Sequence, residues 1–308
     1  MRTEPTLHRH TGSAASLAWF EWPGKAGAPC AVLVHATGFH GRVWDRLVQE
    51  LPPDWRVLAL ELRGHGRSSK DGPFDRWEYF GQDLVEWLDH LELKDAIAAG
   101  HSMGGWAVCY AALERPEAFR HLVLIDPTMN SPEFYEEHRY PDMESPADHP
   151  ASRRRNEWAN WQALYNRLQD REPYSLWQPA VLEDYCRFGV LPAPDGEGCV
   201  LACPPLVEAS VYMNSWRAHL HPRLGEIAAR VTILRARRRR LPKLGQTDYA
   251  SSPTWERLWE LFQEAEDIHL PEFTHFLPMQ DPATVAGYIA AAAGGLPGAR
   301  GGSARQMD

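Results

Sequence analysis

The stretch Gly100-His101-Ser102-Met103-Gly104-Gly105 sets a serine among glycines directly after an apolar run. Residues 95–99 before it read as a short buried strand, and residues 106–114 after it read as a helix that ends before a proline. Glycines at such a turn permit a strained backbone and a close approach of neighbouring elements. A strand, a sharp turn carrying a serine, and a helix together predict that Ser102 is a nucleophile.

The composition of the 308 residues is that of a globular protein, with 24% charged and 44% hydrophobic residues. The net charge of −9 gives no general basic surface, so no nucleic-acid partner is expected. No stretch approaches the roughly 20 apolar residues of a membrane span, and residues 1–12 lack the apolar segment of a secretion signal. The sequence therefore predicts a cytoplasmic protein without a membrane partner.

The cysteines are five in number, which is few for this length and odd. A disulfide framework is therefore not expected. Cys199 and Cys203 lie close in sequence but lack the second Cys-x-x-Cys or His-x-x-x-His pair of a metal site. The sequence predicts no metal site and no cofactor.

Short apolar runs of the buried-strand type alternate with helix-like segments along most of the chain. This alternation predicts an α/β fold: a mostly parallel twisted sheet with helices on both faces. Two opening strands, 7–11 and 15–22, are expected to form an antiparallel edge. Later strands are predicted at 30–35, 57–62, 95–99, 122–126, 231–235 and 267–270. Ligand chemistry in such a sheet belongs at the carboxyl ends of the strands.

The strand pattern disappears between residues 128 and 222. Aromatic-rich segments there predict three helices, 152–171, 179–188 and 205–220, which would form an inserted helical cap. The core is then 1–127 together with 223–293, with further helices expected at 254–264 and 284–293. Residues 294–308 carry Gly-Gly twice and are predicted to be a disordered tail.

A nucleophilic serine needs a base that removes its proton. The best candidate is His275, which follows the last predicted strand and would return over the carboxyl edge of the sheet. In this role activity should rise with pH as the imidazole, with an ordinary pKa of about 6.5, loses its proton.

The base in turn needs a carboxylate that fixes its tautomer. The chain has Arg237-Arg238-Arg239-Arg240 after the strand at 231–235, where an acid would be sought. Asp126, at the end of the strand that follows the nucleophile helix, is the favoured substitute, and Asp248 is the rival. The arginine run itself reads either as a solvated loop or as a cationic rim that attracts an anionic substrate.

Two backbone amides are expected to hold the oxyanion that forms on the substrate carbonyl. One is the amide of Met103, directly after the nucleophile. The other is the amide of Thr37, in the loop after the first parallel strand. Further residues are predicted to line the substrate pocket beside this loop, at the turn, in the cap and next to the base: Gly38, Phe39, His40, Trp106, Trp158, Trp161, Tyr212, Trp216 and Phe276. Trp158 and Trp161 are spaced for one helix face, as are Tyr212 and Trp216.

These motifs resemble the α/β-hydrolase-fold serine hydrolases with a helical cap. Residues 35–38 resemble the family's His-Gly oxyanion loop, residues 63–68 its Arg-Gly-x-Gly-x-Ser turn, residues 100–104 its nucleophile elbow, and the segment around His275 its histidine loop. Ala36 replaces the usual glycine, which should matter little because the donor is the next amide. The arginine run stands where the family usually keeps its acid, which favours the variant in which the acid follows the preceding strand, at Asp126 here. Some lactone-cleaving members, including those similar to zearalenone hydrolases, place the acid there.

The resemblance implies a cofactor-free hydrolase that cleaves a medium-sized, largely apolar carboxylic ester or lactone through an acyl-enzyme on Ser102. The same triad could instead cleave carbon–carbon bonds in β-diketone-like substrates or support perhydrolysis. A ligand receptor that keeps the pocket but turns over negligibly is a third interpretation. A homodimer is compatible with the sequence.

Overall fold

A computed structural model describes residues 2–136, 143–237 and 250–294. The strands are β1 (Thr6–Thr11), β2 (Ser16–Trp22), β3 (Cys30–Val34), β4 (Arg56–Glu61), β5 (Ala96–His101), β6 (Phe119–Ile125), β7 (Glu157–Trp158), β8 (Val190–Pro192), β9 (Cys199–Leu201), β10 (Arg230–Ala236) and β11 (Ala265–Leu270). The α-helices are α1 (Asp45–Glu50), α2 (Glu78–His90), α3 (Met103–Glu114), α4 (Pro132–Glu136), α5 (Trp161–Leu168), α6 (Pro179–Phe188), α7 (Pro205–Met213), α8 (Leu277–Gln280) and α9 (Pro282–Ala291).

The central sheet has eight strands in the order β1-β2-β4-β3-β5-β6-β10-β11. Strand β2 pairs antiparallel with β1 and with β4, and the pairs from β4 to β11 are parallel. The α/β class predicted from the sequence is confirmed. Because β3, β5, β6, β10 and β11 run in the same direction, the loops that follow them meet at one edge of the sheet.

Side chains of the central strands alternate between two hydrophobic clusters, one on each face of the sheet. On β3, Val32 and Val34 pack with residues of α2 and α3, whereas Ala31 and Leu33 pack with residues of α1 and α9. All four side chains are fully buried. Burial on both faces explains why the strands read as continuous apolar runs.

The segment between β6 and β10 contains helices α4 to α7, as a cap would, but it also holds a small antiparallel sheet in the order β7-β9-β8. The helix predicted over 152–171 forms only over Trp161–Leu168. Asn160 caps its start by accepting a hydrogen bond from the Ala163 amide, and Glu157–Trp158 before it pair with β9. The predicted helix 205–220 ends at Met213. The division into core and cap remains a prediction.

The helix predicted over 254–264 is wrong, because only a single 3₁₀ turn forms there, over Leu258–Leu261. Leu258, within this turn, is fully buried, and Phe262 after the turn is also buried, whereas Glu256, Arg257, Gln263 and Glu264 are exposed. Apart from Gly294, the predicted tail lies outside the described residues.

Candidate active site

Ser102 lies on the sharp turn between β5 and α3, with φ 57° and ψ −118°. This left-handed conformation is strained for a residue with a side chain. A Cβ at Gly104 would overlap the carbonyl of Val34, and one at Gly100 would overlap the backbone of Gly104. Glycines at these positions therefore let α3 pack directly against β3 and β5, and the turn holds the Ser102 hydroxyl at the sheet edge.

The loop after β11 brings His275 back over this edge. The amide of Phe273 donates to the carbonyl of Leu270, and the amide of His275 donates to that of Ala250. His275 Nε2 lies 3.0 Å from Ser102 Oγ. The imidazole is thus within hydrogen-bonding distance of the hydroxyl, as a general base must be.

Asp126 completes a continuous line of hydrogen bonds. Its Oδ2 accepts from Nδ1 of His275 at 2.6 Å. Its Oδ1 accepts from the Ala236 amide at 3.0 Å, from Ser252 Oγ at 2.5 Å and from Thr254 Oγ1 at 3.1 Å. Burial would raise the pKa of this fully enclosed carboxyl, but the bonds from His275, Ser252 and Ala236 outweigh burial and hold the pKa below its ordinary value. The group is therefore an anion.

The parallel pairing of β6 with β10 places Asp126, which directly follows β6, beside the end of β10. The Asp126 amide donates to the carbonyl of Leu234, which places the carboxylate beside the end of β10. The rival Asp248 and the arginines at 238–240 lie outside the described residues, while Arg237 is exposed.

The loop after β3 and the start of α3 form the predicted oxyanion site. Thr37 is buried, and its hydroxyl contacts the sulfur of Met103 at 3.5 Å. Met103 is the first residue of α3, and first-turn amides have no partner within a helix. Thr37 is the second residue of a turn closed by a bond from the Phe39 amide to the Ala36 carbonyl. The structure brings Thr37 into contact with Met103, the residue directly after Ser102.

His65 fixes the loop after β3 through two hydrogen bonds. Its Nε2 accepts from the Gly38 amide at 3.0 Å, and its Nδ1 donates to the carbonyl of Arg63 at 2.9 Å. Burial holds the pKa of His65 well below its ordinary value, so the ring stays neutral and can accept. Gly38 has φ 82°, and a Cβ there would also press on the Glu208 carboxylate.

An aromatic cluster lies over the oxyanion loop. The ring of Phe39 lies 5.1 Å from that of Tyr185, 5.7 Å from that of Trp177 and 6.3 Å from that of Phe276. His40 is buried and stacks on Tyr185. Two of the predicted pocket residues, Phe39 and Phe276, are therefore together near the triad. Trp177 and Tyr185 were not predicted to lie here, because no sequence motif links them to the loop after β3.

Other predicted pocket residues lie elsewhere. The expectation that Trp106 approaches the pocket is wrong, since it is enclosed in the core, packs edge-on to Trp77 and donates its indole N–H to the carbonyl of Ala218. Trp158, in β7, and Trp161, at the start of α5, do not share a helix face, because the helix begins only after Asn160.

Tyr212 and Trp216 also do not share a helix face. Tyr212 belongs to α7 and stacks on His149, whereas Trp216 lies beyond the helix end in a 3₁₀ turn, with the Arg217 guanidinium over its ring.

Thr128 is a site residue that the sequence did not reveal. Its Oγ1 lies 2.9 Å from Ser102 Oγ, and its amide donates to the carbonyl of Ser102 at 3.1 Å. The only signal in the sequence is its place two residues after Asp126.

A family model places the chain among known proteins. The model of the alpha/beta hydrolase family matches residues 31–297, which is most of the sequence. The chain belongs to this family. Among the described residues of this α/β hydrolase, no helix is long and apolar enough to cross a membrane. Within the same residues, no group of three or more His, Cys, Asp or Glu side chains could hold a metal ion.

Two relatives are enzymes whose names state an activity. The α/β hydrolase is 30% identical over 102 residues to 3-oxoadipate enol-lactonase 2 of Acinetobacter baylyi, a match that covers 33% of this chain and 38% of that protein. It is 32% identical over 117 residues to a pimeloyl-[acyl-carrier protein] methyl ester esterase of Vibrio campbellii, covering 37% and 41%. The matches thus span less than half of these curated relatives.

Among solved structures, E-2-(acetamidomethylene)succinate hydrolase superposes with a TM-score of 0.74 at 19% identity, over 94% of this chain and 99% of that one. At this identity the likeness concerns the fold.

Proposed function

We propose that this α/β hydrolase is a serine hydrolase that cleaves a carboxylic ester or lactone through an acyl-enzyme on Ser102. The observation that carries the proposal is the unbroken line of hydrogen bonds from Asp126 through His275 to Ser102. The names of the enol-lactonase and methyl ester esterase relatives support the same class of bond.

Acylation begins when Ser102 Oγ attacks the carbonyl carbon and its proton passes to Nε2 of His275. The anionic Asp126 fixes the Nδ1–H tautomer and stabilises the imidazolium that forms. The negative charge on the former carbonyl oxygen is held by the amides of Thr37 and Met103, each worth about 3 to 4 kcal/mol of barrier lowering. His275 then returns the proton to the leaving alcohol oxygen as the carbon–oxygen bond breaks.

Deacylation repeats these steps with water as the nucleophile. His275 takes a proton from the water as its oxygen attacks the acyl carbon, and the same two amides hold the new oxyanion. The imidazolium then protonates Ser102 Oγ as it leaves, which releases the carboxylic acid and restores the free enzyme.

We propose that the segment between β6 and β10 covers the site as a lid and selects a largely apolar substrate. Two contacts support this placement: Arg46 of α1 pairs with Asp184 of α6 at 2.6 Å, and the Gln178 amide donates to the carbonyl of Met279 in α8. The aromatic cluster of Phe39, Trp177 and Tyr185 offers apolar surface next to the oxyanion loop.

Activity screening tests the proposal. p-Nitrophenyl esters of increasing chain length, a macrocyclic lactone and a β-diketone are each incubated with the protein and with Ser102→Ala as the blank. Multiple turnovers of an ester or the lactone that vanish in the blank support the proposal.

Two other outcomes contradict it. Cleavage of the diketone without any esterase activity would make the chain a carbon–carbon bond hydrolase. Tight binding of these compounds without turnover would make it a receptor.

A further inference from the structure

Within the described part of the chain, two side chains contact the reacting oxygen, Ser102 Oγ. Thr128 Oγ1 lies 2.9 Å from it, and His275 Nε2 lies 3.0 Å from it. We propose that Thr128 is a further catalytic residue, whose hydroxyl donates a hydrogen bond to Ser102 Oγ and stabilises the negative charge that develops there. The inference rests on the proposed function, since it concerns the same nucleophile.

The direction of this hydrogen bond follows from counting protons. Asp126 is an acceptor only, so the proton of the neutral imidazole lies on Nδ1, and Nε2 accepts. The single hydroxyl proton of Ser102 is then used in the bond to Nε2. Between Ser102 and Thr128, only Thr128 has a proton left to donate.

The backbone holds the Thr128 hydroxyl in place. Its amide donates to the Ser102 carbonyl, and the carbonyl of Pro127 accepts from Thr254 Oγ1 at 2.8 Å. The single proton of the Thr254 hydroxyl is shared between this carbonyl and Asp126 Oδ1, so the same side chain fixes the acid and the backbone that precedes Thr128. Thr128 is half-buried, whereas Asp126 is fully enclosed. The Thr128 hydroxyl is therefore held in place before the reaction, and a donor fixed in this way stabilises developing charge without having to reorganise.

The hydrogen bond acts in both halves of the proposed reaction. Negative charge builds on Oγ as its proton moves to His275 before the bond to the carbonyl carbon is complete. The same charge reappears on Oγ when the acyl–oxygen bond breaks in deacylation. A hydrogen bond to a charged group contributes about 1.5 to 3 kcal/mol, which corresponds to about tenfold to hundredfold in rate.

The test measures the reactivity of Ser102 itself, with an alkyl fluorophosphonate as the probe. Oγ forms a bond to phosphorus, fluoride leaves, and the Ser102 proton passes to His275. Thr128→Val keeps the size of the side chain but removes the donor, and we expect phosphonylation about tenfold to hundredfold slower. Thr128→Ser keeps the hydroxyl and should label at close to the wild-type rate.

Matched measurements separate this role from a structural one. Thr11→Val, on the exposed strand β1, should label at the wild-type rate. For an ester substrate, Thr128→Val should lower kcat while KM changes little, because the hydroxyl contacts Oγ and acts on the charge formed there.

Labelling of Thr128→Val at the wild-type rate or faster would overturn the inference and leave the proposed function intact. A wild-type protein that the probe does not label would overturn both. If Thr128→Val does not fold, slow labelling of a folded Thr128→Ala decides in favour of the inference, and wild-type labelling decides against it.

Discussion

Replacing Asp126 by asparagine tests the acid of the triad with almost no change in shape. The carboxylate accepts on both oxygens: three donors converge on Oδ1, and Nδ1 of His275 donates to Oδ2. An asparagine can accept on only one of these sides, because its NH₂ group has no free lone pair. The side chain must therefore give up one set of partners.

The structure decides which set is kept. Turning the amide oxygen towards His275 would set the NH₂ group against the donors from Ala236, Ser252 and Thr254, a loss of about 1 kcal/mol for each broken bond before any repulsion. The oxygen therefore stays with these three donors, and the NH₂ group donates to Nδ1. The imidazole proton is then forced onto Nε2, so that His275 cannot accept the Ser102 proton.

We expect Asp126→Asn to lower kcat by about 10³- to 10⁴-fold, with KM nearly unchanged, as for the loss of the correct tautomer in other Ser-His-Asp sites. The assay is steady-state hydrolysis of a short p-nitrophenyl ester at pH 7.5, with circular dichroism to verify folding. Asp248→Asn is the control and should keep the wild-type kcat. An Asp126→Asn enzyme with more than about a tenth of the wild-type kcat, or an inactive Asp248→Asn enzyme, would refute this reasoning.

Three further predictions concern stability, each measured by urea denaturation. Gly104→Ala should lower the free energy of unfolding by about 1 to 3 kcal/mol, since its Cβ overlaps the Val34 carbonyl; an unchanged value contradicts the packing. Arg154→Met should cost about 3 kcal/mol because it leaves the buried Glu208 unpaired, and adding Glu208→Gln should recover most of this; no recovery would exclude the pair. Burial lowers the pKa of His35 to about 4 and that of His65 well below its ordinary value, so the unfolded chain binds these protons first below about pH 6.5; the free energy of unfolding should fall from pH 6.5 to 4, with His35 alone contributing up to about 1.4 kcal/mol per unit, and a flat profile contradicts this.

Local patterns were sufficient where each element's own sequence dictates its structure. The strands were predictable because both faces of the sheet are buried, which makes runs such as Cys30–Val34 continuously apolar. The turn at Ser102 was predictable because Gly100 and Gly104 lie where any side chain would overlap backbone. The absence of an acid after β10 directed attention to Asp126, and the strand order places that carboxylate beside His275.

Local patterns failed where long-range pairing overrides them. Helical spacing of Trp158 and Trp161 gave a helix that the pairing of β7 with β9 interrupts. The short 3₁₀ turn over Leu258–Leu261 forms where a full helix was predicted, and Leu258 and Phe262 of that stretch belong to the hydrophobic core.

The sequence by itself determined the layered sheet and the strained serine turn, because these depend on apolar periodicity and on glycines at fixed offsets. It favoured His275 as the base and left the acid between Asp126 and Asp248. Only the tertiary structure decided that Thr128 contacts Ser102, that Trp177 and Tyr185 cover the oxyanion loop, and that Trp106 is a core residue. These contacts join residues of distant elements, whose distances are set by strand order, register and packing rather than by spacing along the chain.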